Sequence, residues 1–89
     1  MNAHELAQRM ADDAAGIAQH LLPKGKRVAG EWKAGSTGGE EGQSLSVRIT
    51  GAKKGLWRDF AADIGGDLLD LWAATRGQSI GEAMADAKA

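Results

Sequence analysis

Apolar residues in the first third of the chain recur every three or four positions, which is the spacing of one face of an α-helix. The residues at this spacing are Leu6, Met10, Ala14, Ile17 and Leu21. Asn2 can cap the start of the helix, with Glu5 three residues on as in a capping box. Pro23 ends it, because the residue before a proline avoids the helical conformation. The pattern predicts one amphipathic helix over residues 2–22.

Apolar and polar residues alternate in the middle of the chain, as in half-buried β-strands. In residues 27–34 the alternation places Val28, Trp32 and Ala34 on one face, with Arg27 and Lys33 directed away from Trp32. The glycine-rich residues 35–42 follow as a loop without the Gly-Lys-Ser/Thr ending of a phosphate-binding loop.

Two further strands are predicted, over residues 44–50 and 56–60, joined by a hairpin loop over residues 51–55 that begins and ends with glycine. The first of these has a clear apolar face. In the second, Leu56 and Phe60 share a face with Arg58, and Trp57 lies opposite. This pattern leaves open whether Trp57 belongs to the core or to an exposed surface.

The last third is helical, over residues 66–88. Asp67 is suited to the start of one helix, Gly77 ends it, and Ser79 with Glu82 forms a capping box for a second helix. The whole pattern predicts a single α+β domain over residues 1–89. A small three-stranded antiparallel sheet, a β-ribbon over residues 27–60, is flanked by the N-terminal helix and two C-terminal helices.

Composition narrows the function classes. The 89 residues include no cysteine, which excludes disulfides, cysteine-ligated zinc, iron–sulfur clusters and thiol catalysis. We find no signal peptide and no apolar stretch near the ~20 residues that span a bilayer. We therefore expect a cytoplasmic protein that does not contact membranes.

Charge is unevenly distributed although the net charge is only −1. Residues 24–58 have a net charge of +5, whereas residues 1–23 and 59–89 have −2 and −4. The predicted sheet is therefore basic and the helices are acidic. Such a dipolar domain can bind nucleic acid through the sheet.

Residues 43–87 resemble the zinc-ribbon domain at the N-terminus of bacterial and phage DNA primases. The segment Gln43–Val47 (QSLSV) is similar to the family's Pro-Ser-Phe-Ser-Val strand, and Gly65–Leu71 (GGDLLDL) is similar to its Gly-Gly-Asp helix start. The resemblance extends through the tail from Gly77 to Ala87. It implies a ribbon fold.

The zinc ligands of the family are absent from their expected positions. The resemblance places one ligand pair at Asp59 and Ala62 and the other at Trp32 and Gly35. A single carboxylate does not make a metal site, so we expect no metal and no other cofactor. Trp32, Phe60 and Trp72 are expected to replace the metal core with apolar contacts.

The resemblance also implies a function: a non-catalytic, DNA-binding accessory domain of a phage or mobile-element primase or primase-helicase. Its partners would be single-stranded template DNA and a primase catalytic domain or helicase. Single-stranded DNA binders combine basic side chains with an aromatic on which bases stack. The candidate DNA-binding residues are Arg27, Lys33, Arg48, Lys53, Lys54, Trp57 and Arg58. We expect a monomer. The sequence does not decide between a whole protein and an N-terminal domain excised from a longer chain, of which we favour the second.

A different class of function stays open. The domain could have lost DNA binding together with zinc and serve as a protein-docking module, with acidic residues on its helices facing the partner. Those residues are Asp63, Asp67, Asp70 and Glu82. An enzyme is not expected, because no nucleophile–base pair and no cofactor motif is present.

Overall fold

The computed structural model describes residues 1–88, which form a sheet packed on one face against helices. Within these residues the elements are α1 Ala3–Ala11, α2 Ala14–Leu21, β1 Lys26–Val28, β2 Glu31–Ala34, β3 Leu45–Arg48, β4 Trp57–Asp59, β5 Ile64–Gly66, α3 Leu68–Arg76 and α4 Ile80–Lys88. The strands are antiparallel and lie in the order β1-β2-β3-β4-β5. The α+β class is confirmed, but the expected three strands and three helices are five strands and four helices among the described residues.

The N-terminal region forms two helices where one was predicted. Asn2 caps α1 as expected, its side chain accepting a hydrogen bond from the Glu5 amide at 2.8 Å. The helix is interrupted at Asp12 and Asp13, and Asp13 has φ −123° and ψ 49°. Aspartate is unfavourable in a helix interior because its side chain competes for backbone hydrogen bonds. Apolar periodicity continues across the break, which is why the pattern predicted a single helix.

The strand predicted over residues 27–34 is a hairpin of β1 and β2. Ala29 and Gly30 form a two-residue turn, with Ala29 at φ 53°. The turn reverses the chain and places Arg27 directly opposite Trp32. Arg27 therefore lies on the same face as Trp32, and the prediction that it is directed away from Trp32 is wrong.

The strand β5 was not predicted. Ile64–Gly66 pairs with β4, with Arg58 opposite Gly65. Two of its three residues are glycines, which have low strand propensity, so its pairing with β4 rather than its own sequence makes it a strand. The ribbon therefore extends from residue 26 to residue 66, beyond the predicted 27–60.

One face of the sheet packs against the helices and forms the core. Leu45, Val47 and Trp57 are buried there together with apolar residues of α1, α2 and α3. The Trp57 indole N–H donates a hydrogen bond to the Asp67 carbonyl at 2.7 Å, which joins β4 to the start of α3. Phe60, by contrast, is 68% exposed. The expectation that it is a core residue is wrong.

The other two tryptophans lie at the edge of the core. Trp32 and Trp72 are both half-buried against it. The Trp32 indole N–H donates to the Leu22 carbonyl at 3.0 Å, which ties β2 to the end of α2. The Trp72 indole N–H donates to Asp86 of α4 at 2.9 Å. The expected packing roles of these two residues are thus seen, in partly exposed positions.

The two C-terminal helices begin as the sequence predicted. Asp67 and Asp70 form a reciprocal capping box at the start of α3, and Ser79 and Glu82 form another at the start of α4. Gly77 ends α3 in the left-handed conformation, with φ 63°. Among residues 1–88, no helix combines the length and apolar character needed to cross a bilayer.

Candidate nucleic-acid interface

The face of the sheet that does not pack on the helices is a basic surface, whose side chains are exposed or partly exposed except for the buried Ser46. Register places Lys33, Ser46 and Arg58 in one row across β2, β3 and β4, and Lys26 extends this row to β1. We call this surface the open face. Its residues, including the two that flank β4, are Lys26, Val28, Glu31, Lys33, Ser46, Arg48, Leu56, Arg58 and Phe60.

A shallow groove of about 310 Å³ lies on the open face near β3 and β4. Cationic side chains line it from the strands and from the 51–55 loop, together with two exposed apolar residues. These residues are Arg48, Lys53, Arg58, Leu56 and Phe60, and the carboxylate of Glu31, Ser46 and the edge of Trp57 complete the lining. The groove thus offers positive charge and apolar surface side by side, which suits a ligand with both phosphates and flat bases.

Phe60 is the most exposed large apolar residue described. The Arg58 guanidinium lies over its ring, with the guanidinium carbon 5.7 Å from the ring centroid. On its other side Arg58 forms an ion pair and hydrogen bond with Asp63. Arg58 is therefore positioned next to an aromatic ring whose surface is largely available to solvent.

Glu31 is a single carboxylate in the middle of the basic surface. It accepts a hydrogen bond from the Ser46 hydroxyl. This bond, helped by the charges of Lys33 and Arg48, lowers the pKa of Glu31 and outweighs the opposing effect of partial burial. Glu31 is thus ionised at neutral pH, and it contributes one negative charge to the lining of the groove.

The structure brings together four of the seven candidate residues from the sequence. Lys33, Arg48 and Arg58 lie on the open face, and Lys53 reaches the groove from the hairpin loop. Alternation along the strands was sufficient to find the first three, and Lys53 was found from its place in the hairpin loop. Lys53 lies in the loop between β3 and β4, on the same side of the sheet as these three residues.

The other three candidates lie elsewhere. Arg27 is on the opposite face, where its Nε contacts the Ala29 carbonyl at 3.5 Å. Lys54 lies beside His4 and Gln8 of α1. Trp57 is 6% exposed, so its assignment as a stacking residue is wrong. Phe60, three residues further along the chain, has the exposed ring instead, because residues 57 and 60 lie on opposite faces of the sheet.

Two residues of the open face were not among the candidates from the sequence. Phe60 was assigned to the core because apolar residues occur on both faces of residues 56–60. Lys26 was overlooked because its position opposite Lys33 depends on the hairpin turn at Ala29 and Gly30. No local signal marks that turn, since alanine rarely adopts a positive φ.

Asp59 occupies the position of a ligand cysteine in the primase resemblance, and its side chain closes a turn. Asp59 is 2% exposed, and one carboxylate oxygen accepts hydrogen bonds from the amides of Ala61 at 3.0 Å and Ala62 at 3.2 Å. An aspartate that accepts from amides two and three residues ahead stabilises such turns. The residue therefore organises the connection from β4 to β5.

Substituting Asp59 tests this role. Asp59→Ala removes the acceptor for both amides and is expected to lower the free energy of unfolding by about 1–3 kcal/mol. Asp59→Asn keeps an acceptor oxygen at the same place and should lose less than half as much. Urea denaturation of the two variants measures the difference. Equal losses in both variants would contradict the acceptor role.

Residues 1–88 contain no group of three or more histidine, aspartate or glutamate side chains placed to ligate a metal ion. No family model, curated protein or solved structure matches this chain. The fold and the open face therefore define a small α+β domain with a basic sheet surface. The similarity of residues 43–87 to primase ribbons stays a prediction from sequence.

Proposed function

We propose that this chain is a non-catalytic module that binds single-stranded DNA through the open face of its sheet. The observation behind the proposal is the grouping of Arg48, Lys53 and Arg58 around the exposed ring of Phe60. Single-strand binders without sequence preference combine a positively charged groove with aromatic rings on which bases stack. The groove has both parts on one surface.

The likeness to primase ribbons gives this module a setting. In that family the ribbon engages template beside a separate catalytic domain, and the corresponding role here is an accessory domain of a phage or mobile-element primase or primase-helicase. The candidate ligand position Gly35 directly follows β2, and Asp59 is the last residue of β4. Both strands pair with β3 and run in the same direction, so the two positions lie at the same end of the sheet. This arrangement is compatible with a ribbon ancestry.

The protein-docking alternative has less support. Asp67 and Asp70 bond each other's backbone amides, Glu82 bonds Ser79, and Asp63 pairs with Arg58. All four acidic residues of that hypothesis therefore have contacts within the chain. The basic residues of the groove other than Arg58 are in neither of the two ion pairs found among residues 1–88.

The chain offers a matched pair of variants for the test. Arg48→Gln/Lys53→Gln removes one arginine and one lysine from the groove, and Arg27→Gln/Lys54→Gln removes the same two residue types from outside it. We expect the groove variant to bind a fluorescent dT12 oligonucleotide about tenfold more weakly. The slope of log affinity against log salt should fall by about 1.4, since each phosphate contact on a single strand contributes about 0.7.

The control variant should keep wild-type affinity within about twofold, since both of its substitutions lie off the open face. Fluorescence anisotropy over a salt series measures both quantities. Equal losses in the two variants would show that net charge alone governs binding and would overturn the assignment of the open face. A wild-type chain that does not bind dT12 at low salt would overturn DNA binding itself and favour the docking function.

A further inference from the structure

A second concavity lies on the open face at the β1 edge of the sheet, outside the groove around Phe60. Its volume is about 150 Å³, and three lysines line it, Lys24, Lys26 and Lys33, with Glu41 as the one carboxylate among its lining residues. We call it the lysine pocket. Neither of the two ion pairs found among residues 1–88 includes a lysine, so the pocket has uncompensated positive charge.

Two of these lysines lie where their charges lower the stability of the fold. Lys26 and Lys33 are directly opposite each other in the β1–β2 pair, and like charges at such positions destabilise a sheet. Lys33 is also only partly exposed. A bound anion would relieve both the repulsion and the cost of partial burial. The pocket volume and the cationic donors suit one phosphate group.

The lysine pocket and the groove are connected along the row of residues that crosses the sheet. Lys26, Lys33, Ser46 and Arg58 occupy successive strands of this row. Adjacent strands are about 4.8 Å apart, so Lys26 and Arg58 are about 14 Å apart across the sheet. A single strand lying across the sheet is more extended than the about 3.4 Å per nucleotide of duplex DNA, so this distance corresponds to at most about four nucleotides.

We infer that the lysine pocket binds an internal phosphodiester of the same DNA strand whose base stacks on Phe60, so that the strand runs across the β-strands of the sheet. The inference rests on the proposed function and adds a second contact region and a direction to it. Glu31 lines the groove and bonds Ser46 of this row, so it repels phosphates from the part of the path near Ser46. The ligand remains single-stranded DNA, contacted at two points at most about four nucleotides apart.

The test uses Lys24→Gln/Lys26→Gln in the full chain, with Arg27→Gln/Lys54→Gln as the charge-matched control. We expect the pocket variant to bind dT12 about tenfold more weakly and to bind dT2 as the wild type does, because dT2, with a single phosphodiester, is too short to reach the pocket from Phe60. The charge-conserving Lys24→Arg/Lys26→Arg variant should retain binding of dT12. Anisotropy measures dT12 binding, and amide shifts in NMR measure dT2 binding.

Thermal melting provides a check on folding, since the pocket variant should melt at or above the wild-type temperature once the Lys26–Lys33 repulsion is removed. Wild-type dT12 affinity in the pocket variant would overturn the inference and leave the proposed function intact if Arg48→Gln/Lys53→Gln still weakens binding. A gain of more than tenfold on adding a terminal phosphate to dT12 would also overturn it, because the pocket would then be a site for strand ends. Equal affinity with and without that phosphate supports the internal phosphodiester.

Discussion

Replacing Trp57 with alanine is expected to lower the free energy of unfolding by about 3–5 kcal/mol, as truncation of buried large aromatic residues does. Trp57 is 6% exposed and lies among the apolar residues that join the sheet to the helices. The substitution would leave a cavity between β4 and α3. A small domain is typically stable by only about 5–15 kcal/mol, so the variant should be close to unfolding at ambient temperature.

The contribution of the indole N–H can be separated from that of the ring. Trp57→Phe keeps most of the apolar volume but leaves the Asp67 carbonyl without its donor, and should cost about 1–3 kcal/mol. Urea denaturation followed by circular dichroism measures both variants. Unfolding of Trp57→Ala at the wild-type urea concentration would contradict the assignment of Trp57 to the core.

Replacing Phe60 with alanine should have the opposite profile, with DNA affinity lost and stability retained. Stacking of a base on an aromatic side chain contributes about 1–3 kcal/mol, which corresponds to a loss of about 5- to 150-fold in affinity. Phe60 is 68% exposed, and substitutions at such surfaces usually change stability by less than about 0.5 kcal/mol. Anisotropy with dT12 and urea denaturation measure the two effects on one sample.

Two comparisons sharpen this experiment. Phe60→Trp keeps a stacking surface and should keep affinity. Ile80→Ala truncates another exposed apolar residue, 40% exposed at the start of α4, and should leave binding unchanged. If Phe60→Ala binds dT12 as tightly as the wild type, Phe60 does not stack on a base, whether or not the basic residues of the groove contribute to binding.

The sequence predicted those parts of the fold that depend on local signals. Helix starts at Asn2, Asp67 and Ser79 are marked by capping residues that act within one turn, and β3 has a regular apolar alternation. The hairpin turn at Ala29 and the strand β5 depend on pairing with other strands. Such pairing is non-local, and neither alanine at positive φ nor a Gly-Gly strand is favoured by its own residues.

Only part of the candidate site could be predicted from the sequence, for a related reason. Alternation correctly separated Trp57 from Leu56 and Phe60, but it could not show which side faces the helices because both sides hold large apolar residues. The hydrogen bond from Trp57 to the Asp67 carbonyl spans ten residues and comes only with the tertiary structure. Only the structure shows which side of β4 faces the helices. It places Trp57 in the core and Phe60 on the exposed surface, the reverse of the expected roles.

The capped helix starts also determine where an anion can bind on this molecule. A helix N-terminus with free amides is a common phosphate-binding site. Here Asn2, Asp67 and Ser79 already accept hydrogen bonds from the first-turn amides of α1, α3 and α4. The start of α2 has aspartates at positions 12 and 13, which repel anions. Phosphates approaching the helical side therefore meet a side-chain cap on one first-turn amide at three of the helix starts and aspartates at the fourth. The basic side chains of the sheet are the more favourable surface for an anion.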